Sequence, residues 1–163
     1  HAFRDRAGVM GRLAYDLGNA YQVCGVMPGN STIFYTLLSH GIERPLDERL
    51  TAEGLQQTIA YIDKVMTELL KADMQRPDAA LIIQEFEMTA ALMRLACRIG
   101  IARIEAGRVG TSEIPAEVRR QLADELSPLL PEFRQLWLAR NRSGGLKDSA
   151  GRFENLISLL QAP

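Results

Sequence analysis

Histidine, cysteine and tryptophan are all scarce in this sequence, and each scarcity narrows what the chain can do. Two histidines, His1 and His40, are all that 163 residues supply. Nucleophilic triads draw their base from histidine most often. His1 is the first residue and His40 precedes a turn glycine, so both read as surface residues and no triad is assembled. The two cysteines, Cys24 and Cys97, lie far apart in apolar, helical surroundings. A metal knuckle needs paired, short-spaced ligands, so no metal site is expected. The default is two buried free thiols, with a disulfide as the alternative.

An excess charge of one sign is missing too. Nineteen basic residues face 20 acidic ones, for a net charge of −1, which removes the electrostatic footprint of a nucleic-acid binder. No apolar run approaches the roughly 18 residues that would span a bilayer, and no N-terminal signal-peptide pattern is visible. Neither nucleic acid nor membrane is therefore expected as a partner, and a cytoplasmic location is favoured. Alternation of period two never persists and β-branched runs are absent, so no strand is expected. Internal repeats and low-complexity tracts are absent as well.

What is present is helical pattern. With 47% hydrophobic and 24% charged residues the chain has the make-up of a globular domain. Val9, Leu13, Leu17 and Tyr21 recur every four residues and predict a first helix from about Asp5 to Cys24. Gly25 ends it and Met27-Pro28-Gly29-Asn30 is turn chemistry. Ser31 or Asn30 then caps a short helix through Ile33, Phe34, Leu37 and Leu38. Residues 42–50 read as a loop. Thr51 caps a long helix to about Met74, with Leu55, Ile59, Ile62 and Leu69 on its buried face. A helix from Pro77 to about Gly107 follows, acidic early (Asp78, Glu85, Glu87) and basic late (Arg94, Arg98, Arg103, Arg108), the order that the helix dipole favours. Apolar residues cover most of its circumference, which predicts a central position. Pro115 opens a helix to Leu126. Ser127-Pro128 and Pro131 either kink it or begin a new one to about Ala139. The last helix runs from about Lys147 to Gln161. The expected fold is all-α, an antiparallel bundle of five or six helices in a single domain spanning 1–163. The abrupt start at His1-Ala2-Phe3-Arg4 suggests a C-terminal fragment of a longer chain.

The candidates for chemistry are few. Adjacent carboxylates occur at Asp47-Glu48 and Asp124-Glu125, and solvated ion-pairing faces explain both, so no catalytic residue is assigned and no cofactor is called for. Gln84, Glu87, Arg94, Arg98, Glu105 and Arg108 fall at offsets of three, four or seven on the long helix. This polar stripe either faces a partner or is a solvated ridge of intrahelical ion pairs. The densest cluster is Trp137, Arg140, Asn141 and Arg142 at a helix end, before Gly144-Gly145. Tryptophan stacks on sugars or on core side chains, and arginine pairs with carboxylates. In the purely structural alternative, Trp137 is core, Arg140 neutralises the helix C-terminus and the glycines reverse the chain.

The stretch Trp137–Leu146, WLARNRSGGL, resembles the end of the C-terminal helical region of some bacterial glycoside hydrolase family 20 proteins (β-N-acetylhexosaminidase-like). The stretch Arg12–Phe34, RLAYDLGNAYQVCGVMPGNSTIF, is similar to the segment that opens that region. Together they cover about a fifth of the chain. The resemblance implies a non-catalytic helical domain, because the family's adjacent Asp-Glu pair sits in a (β/α)₈ barrel. There the Glu is the acid and the Asp orients the substrate acetamido group. Neither acidic pair here has the surrounding pattern, so no catalytic role carries over. The implied partner is the catalytic barrel of the same polypeptide, or a second copy in a homodimer, contacted through the Trp137–Arg142 turn. The rivals are a self-standing protein-interaction module using the polar stripe, and a small-ligand sensor with a pocket between helices, which six methionines could line.

Overall fold

The structure, a computed structural model, describes residues 2–29 and 31–162. His1, expected on the surface, and Asn30, one of two expected caps, lie outside the described residues. Six helices of ten or more residues make up most of the fold: α1 (Val9–Gly18), α3 (Ala52–Thr67), α4 (Ala79–Glu105), α5 (Ala116–Leu126), α6 (Leu129–Arg140) and α7 (Leu146–Leu160). A single turn, α2 (Ile33–Tyr35), runs into a wider π-type turn over Thr36–His40, closed by Gly41 N–H donating to the Thr36 carbonyl at 2.8 Å. Among the described residues there is no strand, only one isolated antiparallel bridge between Asp5 and Met74, so the all-α expectation holds. No helix is long and apolar enough to cross a membrane among the described residues.

Several boundaries differ from the sequence pattern, each for a local reason. The first helix begins at Val9 rather than Asp5, because Gly8 adopts a left-handed φ of 72° and Asp5 serves as an anchor instead. Its carboxylate accepts from the backbone N–H groups of Ala7 (3.2 Å), Met10 (3.0 Å) and Asp73 (2.8 Å). Desolvation pushes the Asp5 pKa up, but these backbone donors outweigh it and hold the carboxyl below its ordinary value. The same helix stops at Gly18, and Ala20–Gln22 is a separate 3₁₀ turn. The cap of α2 is Thr32, whose hydroxyl accepts from Tyr35 N–H at 3.3 Å, not Ser31. Thr51 caps α3 as expected, accepting from Gly54 N–H at 3.0 Å, but the helix tightens into a 3₁₀ turn over Glu68–Lys71 and ends short of Met74. Ser127-Pro128 begins a new helix, α6, with Pro131 in its first turn, where a missing N–H costs nothing.

The central helix is α4, which packs on α3, α2, α5 and α6, while α7 closes the far side against α5 and α6. Its centre is mostly apolar, with Leu95, Ala96, Cys97 and Ile99 fully buried. Each large aliphatic side chain so buried contributes about 1.5–3 kcal/mol. Gly100 sits where α4 meets α3: a Cβ there would stand 2.6 Å from Leu55 Cδ1 and 3.1 Å from Leu37 Cδ1. The helix ends at Glu105, two residues before the predicted end. Gly107 (φ 102°) and Arg108 (φ 64°) then reverse the chain in left-handed conformations.

The loop over 41–50 is held by arginines from α4 and its C-terminal turn. Arg103 is fully buried and donates to three backbone carbonyls, of Val109 (2.8 Å), Gly41 (3.0 Å) and Arg44. Arg108 donates to the carbonyls of Asp47 (2.6 Å) and Leu50 (3.1 Å). These bonds hold Arg108 in a backbone conformation that non-glycine residues rarely adopt. Arg103 thus fastens three chain segments, a role the helix-dipole reading of its position did not foresee.

Candidate functional site

The Trp137–Arg142 cluster folds into the turn between α6 and α7, completed by a 3₁₀ turn over Ser143–Gly145. Its members bond chiefly to the protein itself. Trp137 Nε1–H donates to the Arg142 carbonyl at 3.2 Å, and Asn141 Nδ2 donates to the Trp137 carbonyl at 3.2 Å. Gly145 lies against the indole, and a Cβ there would stand 3.0 Å from Trp137 Cζ2. Trp137 is half-buried, in a cluster with Phe133 (centroids 6.0 Å apart); Phe133 in turn meets Phe153 edge-on at 5.0 Å.

Arg140 corrects the structural alternative of the sequence reading. It does not neutralise the end of its own helix. Its guanidinium crosses to α4, with Nε and Nη2 donating to the two Glu85 carboxylate oxygens (2.7 and 3.0 Å) and Nη1 donating to Asp78 (2.6 Å). Asp78 also accepts from Arg76 (2.8 Å). The Arg76 and Arg140 guanidinium groups hold the Asp78 carboxyl far below its ordinary value, and Glu85 with Asp78 pushes Arg140 up in return. What the turn presents outward is Leu138, 52% exposed, and the exposed Arg142.

On the polar stripe of α4, Arg98 and Glu105 line one cleft with Gln56 of α3 and with Gln121 and Glu125 of α5. Arg94 donates to Asp63 of α3 at 2.6 Å and Arg98 to Glu125 of α5 at 2.6 Å. Glu87 and Glu105 are exposed, and Arg108 has left the helix. The ion pairs of Arg94 and Arg98 tie α4 to its neighbours and are not the intrahelical pairs of the ridge alternative. Three of the six stripe residues, Arg94, Arg98 and Arg108, are engaged within the fold.

Neither acidic pair is poised for acid–base work. Arg49 holds Asp47 at a pKa of about 2 through side-chain and backbone hydrogen bonds, and Glu125 is paired with Arg98. A general acid at neutral pH needs a carboxyl shifted upward; Asp5, Asp47 and Asp78 are all shifted downward. Among the described residues no group of three His, Cys, Asp or Glu side chains is placed to hold a metal ion. Both cysteines are free and buried.

Two clefts stand out. The first, about 420 Å³, lies between α1 and α4, lined by Ala14, Leu17, Phe34, Phe86 and Met93, with Thr89 and Glu85 at its edge. Its polar groups are engaged elsewhere: Thr89 donates to the Glu85 carbonyl, and the Glu85 carboxylate holds Arg140. The second, about 350 Å³, lies between Tyr35 and Leu38 on one side and α6 and α7 on the other, with Phe133, Trp137, Ser149, Arg152 and Phe153 in its wall. Tyr35, Ser39, Phe133, Ser149 and Arg152 were not singled out from the sequence, and Phe153 reads there only as a buried residue of the last helix. They come from three separate elements, and no local spacing signals their meeting.

The chain matches no protein-family model, no curated protein and no solved structure.

Proposed function

We propose that this chain is a non-catalytic helical domain of a glycoside hydrolase of the family 20 type, which packs on a catalytic barrel through the edge formed by the α6–α7 turn. The observation that carries this reading is the fit between the WLARNRSGGL string and its fold. Trp137, Asn141 and Gly145 close the turn on itself and Arg140 bolts it to α4. Leu138 and Arg142 are left on a rigid, outward edge. An apolar side chain beside an arginine, pre-ordered before contact, suits an interdomain interface because little side-chain entropy remains to be lost on docking. The downward-shifted carboxylates and the absence of a strand among the described residues are consistent with chemistry residing elsewhere in such a protein.

The test is hydrolysis of an aryl N-acetyl-β-glucosaminide by the chain alone. The proposal expects no aryl alcohol above the buffer rate across the acid-to-neutral range. Turnover that survives repurification and is lost on mutating a carboxylate of this chain would overturn it.

A further inference from the structure

The cleft between Tyr35 and the α6–α7 pair has the shape of a small-molecule site and a charge that selects its occupant. Its volume of about 350 Å³ falls within the range of small-ligand pockets, about 300–1,000 Å³. Aromatic rings of Phe133, Trp137, Phe153 and Tyr35 supply flat apolar wall. Trp137 spends its one N–H on the Arg142 carbonyl, so what it offers the cleft is ring surface.

Among the described residues the one charged group lining this cleft is Arg152, and the other polar side chains are hydroxyls, which both donate and accept. Arg152 lies over the Tyr35 ring, 5.3 Å from its centroid, and donates through Nη1 to the Tyr35 hydroxyl. Its Nε and Nη2 have no partner among the described residues, and no described carboxylate pairs with it. The hydroxyls of Ser39 and Ser149 line the same cleft. Outside the cleft lining, His40 stacks against the Tyr35 ring (6.1 Å between centroids) and Arg44 lies 3.0 Å from His40 Nε2. A guanidinium has only donors, so that nitrogen accepts. Arg152 is thus the positive charge at the cleft, and among the described residues no Asp, Glu, Asn or Gln lines it. A neutral sugar can bond to the serine hydroxyls but leaves the Arg152 guanidinium without a counter-charge. An anion needs only donors and positive charge.

We infer that this cleft binds a small aromatic carboxylate, its ring against Trp137 and Phe133 and its carboxylate on Arg152. The site stands apart from the glycosidase reading and survives its failure. Arg152 keeps Nε and Nη2 free for a two-point contact with a carboxylate, and Ser149, three residues earlier on α7, adds a third donor from the same helix face.

The experiment uses the one tryptophan of the chain as its reporter. Naphthalene-2-acetate and the uncharged 2-(2-naphthyl)ethanol are each titrated into the ¹⁵N-labelled protein while the Trp137 indole N–H resonance is followed. The acid is expected to shift that resonance saturably and to bind about tenfold more tightly than the alcohol, the factor of one exposed charge-assisted contact. Arg152→Ala should abolish the preference and Arg152→Lys retain part of it. Because Arg152 is exposed, both variants should keep the wild-type helical circular dichroism. Three results overturn the inference: no shift at Trp137 with millimolar acid, equal affinity for acid and alcohol, or shifts concentrated at Gly18 and Thr89 of the α1–α4 cleft.

Discussion

Arg140 and Glu85, 55 positions apart, meet in a two-armed ion pair, with Nε–Oε1 at 2.7 Å and Nη2–Oε2 at 3.0 Å. A third arm from the same guanidinium reaches Asp78 at 2.6 Å. One planar cation thus fixes the end of α6 against the first half of α4, and the bidentate geometry is one that lysine cannot reproduce.

The first prediction concerns this network and pH. Asp78 has its pKa depressed by Arg76 and Arg140, so it contributes stability that is present above the ordinary carboxylate value of 3.8 and is lost as pH falls through the folded-state value. Arg140→Met should therefore lower the Tm at pH 7, and the gap to wild type should narrow steadily below pH 3.8. Thermal melts of the two proteins from neutral to acid pH check this. A gap independent of pH would place the value of Arg140 in its packing, not in its charge.

Gly100→Ala should destabilise the fold even though alanine is the better helix former by about 1 kcal/mol. The added Cβ would stand 2.6 Å from Leu55 and 3.1 Å from Leu37, both fully buried. Overpacking of this kind costs about 1–3 kcal/mol. Urea unfolding should show the midpoint moving down with the slope unchanged. Leu55→Ala should suppress part of the penalty in the double variant, because it removes the atom that clashes.

Arg103→Met keeps the aliphatic stem and removes the donors to the Val109, Gly41 and Arg44 carbonyls. Leaving such groups without partners costs about 1–3 kcal/mol each, and water reaching the loop ends reduces that, so a net loss of about 3 kcal/mol is expected. Amide hydrogen exchange should quicken in 41–50 and 107–111 and stay near wild type in α7. Uniform acceleration would mean that Arg103 supports the whole core and not the loop.

The thiols should be inert in the folded protein. Burial pushes Cys97 up to about 12, with Cys24 adding to the rise and Arg98 opposing it. Burial likewise raises Cys24. The thiolate is the reactive form, so modification by a disulfide reagent at pH 8 should track global unfolding. Both cysteines should titrate together once urea passes the unfolding midpoint. Rapid modification of either in buffer would show a local opening.

What the sequence makes legible is whatever repeats within a turn or two. The apolar spacing of Leu55, Ile62 and Leu69, the cap at Thr51 and the break at Ser127-Pro128 all depend on neighbours close in the chain, and the structure keeps them. The polar contacts across the fold are different. Arg103 reaches Gly41 across 62 positions, Arg152 reaches Tyr35 across 117, and Arg94 and Arg98 pair with two different helices. On a helical wheel Arg103 looks like one more cation near a helix C-terminus; only the fold of residues 41–50 over it makes it a buried fastener. The candidate turn was half legible. Trp137, Arg140, Asn141 and Arg142 do gather at one place, but the Arg140 partners Asp78 and Glu85 lie at the start of α4, and no local spacing links them to the turn.

The most direct measurement is the native reading frame, sequenced upstream of the His1 codon. If the chain is the helical domain of a family 20-type glycosidase, the frame continues for at least about 250 codons, alternates strand and helix patterns, and carries an adjacent Asp-Glu pair at a strand end. A start codon within a few residues of His1 would contradict that assignment and leave a free-standing helical protein.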